Sequence, residues 1–323
     1  TVGVTGSLTM SGGSITVKGS TTGGYTHSGY GGAAGVIGLE QDNYGTTANI
    51  TGGTISATNT GNGGPAIGIR ADGWGTTTNV SNLTITTQSN TGFSVGISQY
   101  SPSDRSATVD LTNVNITSHS TSGTSYGIYT GSRGNVFVRS GNITSDNYGI
   151  YSTSSSSLFI TVGEDGGEPS ITNPAIAGGD YAIYSGSVKF YDGVLRGGNR
   201  SFTDGSITAI PDATKIHTES SADYAENSWL VAAENYLEVD GVGYNSLQKA
   251  YDAITGNSGT IKVIADTTVE AVLPGSPADK SIIFDLNDHN LIYTQPLINE
   301  GTMTIVDNGL EKKGKLTNPT LTS

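Results

Sequence analysis

The sequence predicts an all-β protein whose short parallel strands wind into a solenoid, a parallel β-helix with three strands per coil. Two observations lead to this class. The 323-residue chain has 47 glycines, 34% hydrophobic residues and 13% charged residues, a composition typical of many short strands joined by turns. A three-part phrase also recurs six times in the same order, and such internal repeats indicate coils that stack on one another.

The first two strands of each coil are separated by a tight bend. They read SLTMSGGSIT (7–16), TANITGGTIS (47–56), TTNVSNLTIT (77–86), TVDLTNVNIT (108–117), NVFVRSGNIT (135–144) and SVKFYDGVLR (187–196). Two apolar residues lie five positions apart in each copy, and the bend between them holds Gly, Asn or Asp, as a turn requires. The second apolar residue predicts a stacked column of Ile15, Ile55, Ile85, Ile116, Ile143, Ile171 and Leu195.

The third strand of each coil follows after a connection of variable length. It reads VIGL (36–39), AIGI (66–69), SVGI (94–97), SYGI (125–128), NYGI (147–150) and DYAI (180–183). The longest connections, 18–35 and 162–170, are predicted to be loops. A β-sandwich is the alternative fold, because it also has short alternating strands, but it does not need one phrase repeated in one order.

The repeat covers residues 1–220, and a different pattern follows it. Two runs, SWLVAA (228–233) and YLEVDG (236–241), predict a strand pair within a connector, 221–244. In the remaining segment, 245–323, a short capping helix near 246–255 precedes further rung-like strands. Asn245 with Gln248 suits the start of this helix, and Gly256 suits its end. The residues predicted to share its apolar face are Leu247, Ala250, Tyr251 and Ile254.

This last segment resembles a known class of modules. The stretch GYNSLQKAYDAITGNSGTIKVIADTTVEAVL (243–273), followed by SIIFDLNDHNLIYT (281–294) and NEGTMTIVDNG (299–309), looks like the β-helical modules of large adhesin-like surface proteins of Gram-positive anaerobic bacteria. The resemblance covers roughly residues 240–320 and implies a right-handed parallel β-helix, export and a surface role without catalytic residues. Asp288 stands where those modules usually have Gly, so the turn at this position departs from their pattern.

Charge and hydropathy exclude several classes of partner. The net charge is −13, whereas a nucleic-acid groove and an electrostatic contact with anionic lipid both need clustered Lys and Arg. The sequence also lacks an apolar run of the ~18 residues that a membrane span needs. We read the chain as a mature form or an excised segment of a secreted or cell-surface bacterial protein.

The residues that could carry out catalysis do not form a catalytic pattern. A polysaccharide lyase or glycosidase needs clustered carboxylates, but the candidates fall in different strand columns: Asp110, Asp146, Asp180 and Asp192. The histidines lack metal-ligand spacing: His27, His119, His217 and His289. The acidic turns GEDGGEP (163–169) and DLNDHN (285–290) do not fit calcium-loop spacings. No catalytic, cofactor-binding or metal-ligating residue is therefore assigned.

The tyrosines of the third strand are the remaining candidates. Because strand side chains alternate between faces, one set is predicted to point inward with the adjacent isoleucines: Tyr126, Tyr148 and Tyr181. The other set is predicted to form an outward row: Tyr129, Tyr151 and Tyr184. Such a row would either contact the sugar rings of a glycan or only stabilise the sheet by stacking ring on ring.

The sequence thus predicts a secreted or cell-surface structural or adhesive protein, a rigid stalk, fibre or adhesin segment without catalysis or cofactor. Its expected partners are host or environmental glycans or proteins. Two alternatives stay open on the same fold. One is a polysaccharide-degrading enzyme or tailspike-like glycan-binding protein, and the other is a filament subunit that associates head to tail.

Overall fold

The structure is a computed structural model. It describes residues 2–4, 6–21, 35–41, 44–73, 75–100, 107–131, 134–152, 159–164, 170–185, 187–203, 207–209, 214–269, 273–274, 280–293, 297–298 and 301–317. These residues form an all-β chain with a single helix, as predicted. They divide into two compact units, one of residues 1–211 and 216–231 and the other of residues 212–215 and 232–323. The predicted loops 18–35 and 162–170 lie largely outside the described residues, as does His27.

The first unit is built from short strands that recur at similar positions of the repeat. In chain order they are β1 (Val2–Val4), β2 (Ser7–Met10), β3 (Ser14–Gly19), β4 (Val36–Gln41), β5 (Thr47–Asn59), β6 (Ala66–Asp72), β7 (Thr77–Ser89), β8 (Ser94–Tyr100), β9 (Ala107–Thr112), β10 (Val114–Ser120), β11 (Ser125–Thr130), β12 (Gly134–Val138), β13 (Gly141–Ser145), β14 (Tyr148–Ser152), β15 (Phe159–Val162), β16 (Ala175–Gly178), β17 (Tyr181–Tyr184), β18 (Val188–Phe190), β19 (Val194–Gly197), β20 (Arg200–Phe202), β21 (Ile207–Ala209), β22 (Thr214–Glu219) and β23 (Glu226–Ala232).

These strands form two sheets in which each strand pairs with its counterpart in the next repeat. One sheet has eight strands in the order β1-β4-β6-β8-β11-β14-β17-β20, and its described pairs are parallel. The other sheet holds the two remaining columns, which merge where the 13-residue strands β5 and β7 cross both. Parallel pairing of successive repeats, as predicted, produces a solenoid-like arrangement of three strands per repeat.

The predicted apolar columns meet in one buried core. The register pairs Ile55 with Ile85, Ile85 with Ile116 and Ile116 with Ile143. The next residue in this column is Ile176, not Ile171, and Ile171 is 55% exposed. The prediction for Ile171 was wrong because a long connection, which the spacing does not reveal, separates β15 from β16. At the predicted bends Asn82 and Asn113 both adopt the left-handed conformation that Asn tolerates, but only Asn113 separates two strands, because Asn82 lies within β7.

The two strands predicted to pair with each other after the repeat instead join different sheets. β23 lies antiparallel to β19, with Val194 opposite Trp229 and Gly197 opposite Glu226, and β22 borders β23. The second strand of the predicted pair, which begins at Leu237, belongs to the second unit. β23 thus ends the run of parallel pairing, because an antiparallel neighbour does not continue the repeat.

The second unit contains the helix and ten further strands among its described residues. They are β24 (Leu237–Val239), β25 (Val242–Tyr244), α1 (Leu247–Ala253), β26 (Ser258–Val263), β27 (Thr267–Val269), β28 (Leu273–Pro274), β29 (Ser281–Asp285), β30 (Asn290–Tyr293), β31 (Leu297–Ile298), β32 (Thr302–Val306) and β33 (Lys315–Thr317). After β26 the pairing is again parallel, in the orders β26-β29-β32, β27-β30-β33 and β28-β31.

The helix begins one residue later than predicted. Ser246, not Asn245, is the N-cap, and its hydroxyl accepts the backbone N–H of Lys249 at 3.3 Å. Asn245 donates its side-chain amide to the carbonyl of Ala233 instead. The helix ends at Ala253, before the predicted Gly256. All four residues of the predicted apolar face are buried in the core of this unit: Leu247, Ala250, Tyr251 and Ile254.

Candidate functional site: a tyrosine ladder

In β11 and β14 the third strand of the coil carries a glycine, Gly127 and Gly149, whereas β17 has Ala182 at this position. In β11 the position of Gly127 decides which way the tyrosines point. A Cβ on Gly127 would lie 2.2 Å from Cγ2 of Ile143 and 2.5 Å from the carbonyl oxygen of Gly149. Gly127 therefore faces the interior, as does the next residue, Ile128, which is fully buried in the main core. Two successive inward positions place Tyr126 and Tyr129, three residues apart, on the same outer face.

The predicted inward position of Tyr126, Tyr148 and Tyr181 is therefore wrong. The rings of Tyr126 and Tyr129 make an edge-to-face contact, with 5.1 Å between centroids, which two residues on opposite faces of a strand cannot make. Tyr126 also packs in a separate cluster with Ile67 and Val95 rather than in the main core. Strict alternation of side chains fails here because two successive residues, Gly127 and Ile128, both face the interior.

Six tyrosines thus form one surface, which we call the tyrosine ladder. It consists of two columns on β11, β14 and β17: Tyr126, Tyr148 and Tyr181 in one, and Tyr129, Tyr151 and Tyr184 in the other. Within each column the residues are direct partners on neighbouring parallel strands. The repeat of one residue type at one register position produces the columns.

Rings within a column stack with nearly parallel planes. The centroids of Tyr151 and Tyr184 are 5.1 Å apart with an angle of 6° between planes, and those of Tyr129 and Tyr151 are 5.6 Å apart at 21°. In the other column, Tyr148 lies 5.6 Å from Tyr126 at 14° and 6.1 Å from Tyr181 at 11°. These values fall in the range in which aromatic pairs attract one another beyond simple burial, by about 0.5–1.5 kcal/mol.

Contacts between the columns are edge to face. Tyr148 meets Tyr151 at 5.0 Å and 67°, and Tyr181 meets Tyr184 at 5.3 Å and 83°. Burial raises the pKa of Tyr126 to about 12 and also raises the pKa of Tyr148. Exposure increases along the ladder, from 9% at Tyr126 to 38% at Tyr184. The most exposed ring of the ladder is therefore that of Tyr184 at its end.

Both columns continue into the preceding coils with other residues. Ile37, Ile67 and Val95 precede Tyr126 in register, and all three are buried. In the second column, the carboxylate of Glu40 pairs with the Arg70 guanidinium at 2.7 Å. Arg70 also donates to Asp72 at 2.8 Å, and both members of that pair are largely buried. The charges of these earlier coils are thus engaged in ion pairs on the same face.

The other residues considered from the sequence stay apart. Asp110 accepts hydrogen bonds from Nε and Nη2 of Arg139 at 2.6 and 2.8 Å, and Asp146 pairs with His119 at 2.7 Å. Asp180 accepts the side-chain amide of Asn199. Burial raises the pKa of Asp192, although it accepts the backbone N–H of Gly193. The described ranges contain no group of three or more carboxylate or imidazole side chains able to hold a metal ion.

The acidic turn of 285–290 is built on backbone hydrogen bonds. Asp288 adopts a left-handed conformation, with φ of 69°. Its carboxylate accepts the backbone N–H groups of Glu311 and Lys313, and these bonds lower its pKa. Asp307 likewise accepts from Asp288 and Gly314 and has a lowered pKa. The carboxylates of this turn bind neighbouring turns of the same unit. The second turn, GEDGGEP, lies largely outside the described residues.

Comparison with known proteins adds no identification: no protein-family model, curated protein or solved structure matches the chain. In the part of the chain that the structure describes, no helix is long and apolar enough to cross a membrane. The function is therefore argued from the tyrosine ladder and the sheets that carry it.

Proposed function

We propose that this chain is a right-handed parallel β-helix that acts as a secreted or surface-displayed scaffold of a bacterium, a stalk, fibre or adhesin segment without catalysis. Parallel in-register pairing over successive repeats supports the fold, and the resemblance of residues 240–320 to adhesin-like modules supports both its hand and its role. A stack of coils extends by one strand spacing of about 4.8 Å per coil, so such a scaffold carries side chains at regular intervals.

The observation that carries the adhesive part of the proposal is the tyrosine ladder. The sheet does not require tyrosine in the column of Tyr129, because earlier coils hold Glu40, Arg70 and Ser98 at the same register. Tyrosines whose rings are already ordered lose little conformational entropy on binding and offer both an apolar ring and a hydroxyl. One column of the ladder is the outward row predicted from the sequence, and this column contacts the ligand. It consists of Tyr129, Tyr151 and Tyr184.

The ligand that this surface fits is a neutral glycan. Sugar rings present C–H groups that pack on aromatic rings and hydroxyls that bond to the tyrosine hydroxyls. The net charge of −13 disfavours sulfated or acidic glycans through repulsion. The rings of the ladder stack on one another, so their faces are covered by neighbouring rings. A glycan therefore contacts the ring edges and the free face of the last ring, Tyr184.

The test is binding of the full chain to an array of neutral and anionic glycans. Tyr184→Ala removes the most exposed ring at the end of the ladder, and the triple change of Tyr129, Tyr151 and Tyr184 to Ser removes the outer column. Tyr224→Ala, at a partly exposed tyrosine outside the ladder, is the matched control. Circular dichroism establishes that each variant is folded.

We expect the parent and Tyr224→Ala to bind the same neutral glycans, Tyr184→Ala to bind more weakly and the triple variant to lose binding. One aromatic stacking contact is worth about 0.5–1.5 kcal/mol, and about 1.4 kcal/mol corresponds to tenfold in affinity, so the single change should weaken binding by up to roughly tenfold. Equal binding by parent and triple variant, absence of binding by the parent, or a preference for anionic glycans contradicts the proposal.

A further inference from the structure

The tightest stacked pair of the tyrosine ladder has a geometry suited to covalent coupling. Tyr151 and Tyr184 are direct partners on neighbouring strands, and their rings are closer and more nearly parallel than those of the other stacked pairs of the ladder. The two residues are 33 positions apart in the chain (184 − 151). A bond between them would therefore join two successive coils.

Exposure differs between the two members in a way that favours coupling within the molecule. Tyr184 is 38% exposed, so a dissolved oxidant reaches it. Tyr151 is only partly exposed and lies between Tyr129 and Tyr184, each in stacked contact with it. A radical on Tyr151 is thus next to another tyrosine of the same chain and is shielded from other molecules.

We propose that Tyr151 and Tyr184 are a site of intramolecular dityrosine formation. A peroxidase-type oxidant removes one electron and one proton from each phenol, and hydrogen peroxide takes up both electrons and both protons to become two molecules of water. The two phenoxyl radicals join through a carbon–carbon bond between ring positions ortho to the hydroxyls. Each ortho carbon then loses its hydrogen to the phenoxyl oxygen, which restores both aromatic rings.

The inner column is a poorer site for the same chemistry. Tyr126 is only 9% exposed, so a dissolved oxidant has little access to its ring. The rings of Tyr148 and Tyr181 are the most widely separated stacked pair, at 6.1 Å. Selectivity for Tyr151 and Tyr184 therefore follows from both access and distance.

The crosslink would give this chain a covalent tie between coils that cysteine does not supply, since the sequence contains none. Closing a loop between two distant residues limits the conformations of the unfolded chain, as a disulfide does. This modification does not depend on the proposed glycan contact, because it uses the phenol chemistry of the ring and not its surface.

The experiment treats the folded full chain, at a low concentration that suppresses coupling between molecules, with a haem peroxidase and limiting hydrogen peroxide. Dityrosine is detected by its fluorescence in the monomer fraction and located by mass spectrometry of the digested protein. Tyr151→Phe and Tyr184→Phe keep the stacked ring but lack the phenol. Tyr224→Phe removes a phenol outside the ladder and serves as the matched control.

We expect monomeric protein with the linked peptides of Tyr151 and Tyr184, less two hydrogen atoms, and a raised melting temperature. Either ladder variant should lose this crosslink, whereas Tyr224→Phe should keep it. Persistence of monomer dityrosine in Tyr184→Phe, coupling only between molecules, or linkage mapped to another pair overturns the proposal. Crosslinking is measured without glycan, and glycan binding by the parent is measured without oxidant, so either proposal can fail while the other holds.

Discussion

The change of Gly127 to Ala tests the bend that creates the tyrosine ladder. The added Cβ would lie 2.2 Å from Cγ2 of Ile143 and 2.5 Å from the carbonyl oxygen of Gly149. Carbon atoms in contact prefer about 3.5–4.0 Å, so the methyl group overlaps Ile143 by more than an ångström. The carbonyl belongs to the backbone of the neighbouring strand and cannot turn away as a side chain can.

Overpacking of this kind costs typically about 1–3 kcal/mol, and the backbone clash places Gly127→Ala at the upper end. In a unit of this size, a loss of about 3 kcal/mol lowers the melting temperature by roughly 6–12 °C. The assay is thermal unfolding followed by circular dichroism. A melting temperature equal to that of the parent would refute the inward position of Gly127.

The chain contains its own control for this prediction. Ala182 lies between Tyr181 and Ile183, where the previous coil has Gly149 between Tyr148 and Ile150, and it is fully buried. In that coil the facing column position is held by Leu195 rather than Ile, and Leu carries no methyl branch at Cβ. We therefore expect Ile143→Leu to recover part of the stability lost in Gly127→Ala, and Ala182→Gly to cost only about 0.5–1 kcal/mol.

Two further predictions concern the second unit. Tyr251→Phe should raise the free energy of unfolding by about 1 kcal/mol, because the Tyr251 hydroxyl is buried without a hydrogen-bond partner. Denaturant unfolding checks this, and a loss of stability would show that the hydroxyl does make a hydrogen bond. Acidification should weaken the turn at Asp288, since a lowered pKa adds stability that is present above the ordinary value of 3.8 and lost as pH falls through the folded value. Hydrogen exchange of the Glu311 and Lys313 amides should therefore accelerate at acidic pH; equal protection at neutral and strongly acidic pH would contradict the bonding to Asp288.

Much of the first unit could be predicted because the same residue types recur at the same positions of each repeat. Columns such as Ile55, Ile85, Ile116 and Ile143 follow from spacing alone, since each coil places the same residue at the same register. The break at Ile171 could not be predicted, because a connection of unknown length resets the spacing. The helix start was displaced because Asn245 and Ser246 are both good N-caps, and tertiary contacts decide between them.

The prediction that Tyr126, Tyr148 and Tyr181 point inward was wrong for a different physical reason. Alternation assumes a regular strand, whereas Gly127 and its counterparts Gly96 and Gly149 have no Cβ and lie against Cγ2 of a facing isoleucine. The glycine at one position of successive coils was visible in the sequence. It is the signal that could have placed Tyr126 on the outer face with Tyr129.

The central claim is that two tyrosine columns lie in register on one outer face. Disulfide trapping tests this claim most directly, because the chain has no cysteine of its own to interfere. Disulfides form when Cα atoms are roughly 4.4–6.8 Å apart. Under mild oxidation, the pair Tyr151→Cys with Tyr184→Cys and the pair Tyr148→Cys with Tyr181→Cys should both crosslink. Tyr148→Cys with Tyr184→Cys, three residues out of register, should not. Failure of both pairs would contradict the parallel register itself. Because partners in register are equally close on either face of a sheet, the face is tested by a charged thiol reagent, which should modify Tyr148→Cys and Tyr181→Cys in the folded protein; protection of both would mean that they face the interior.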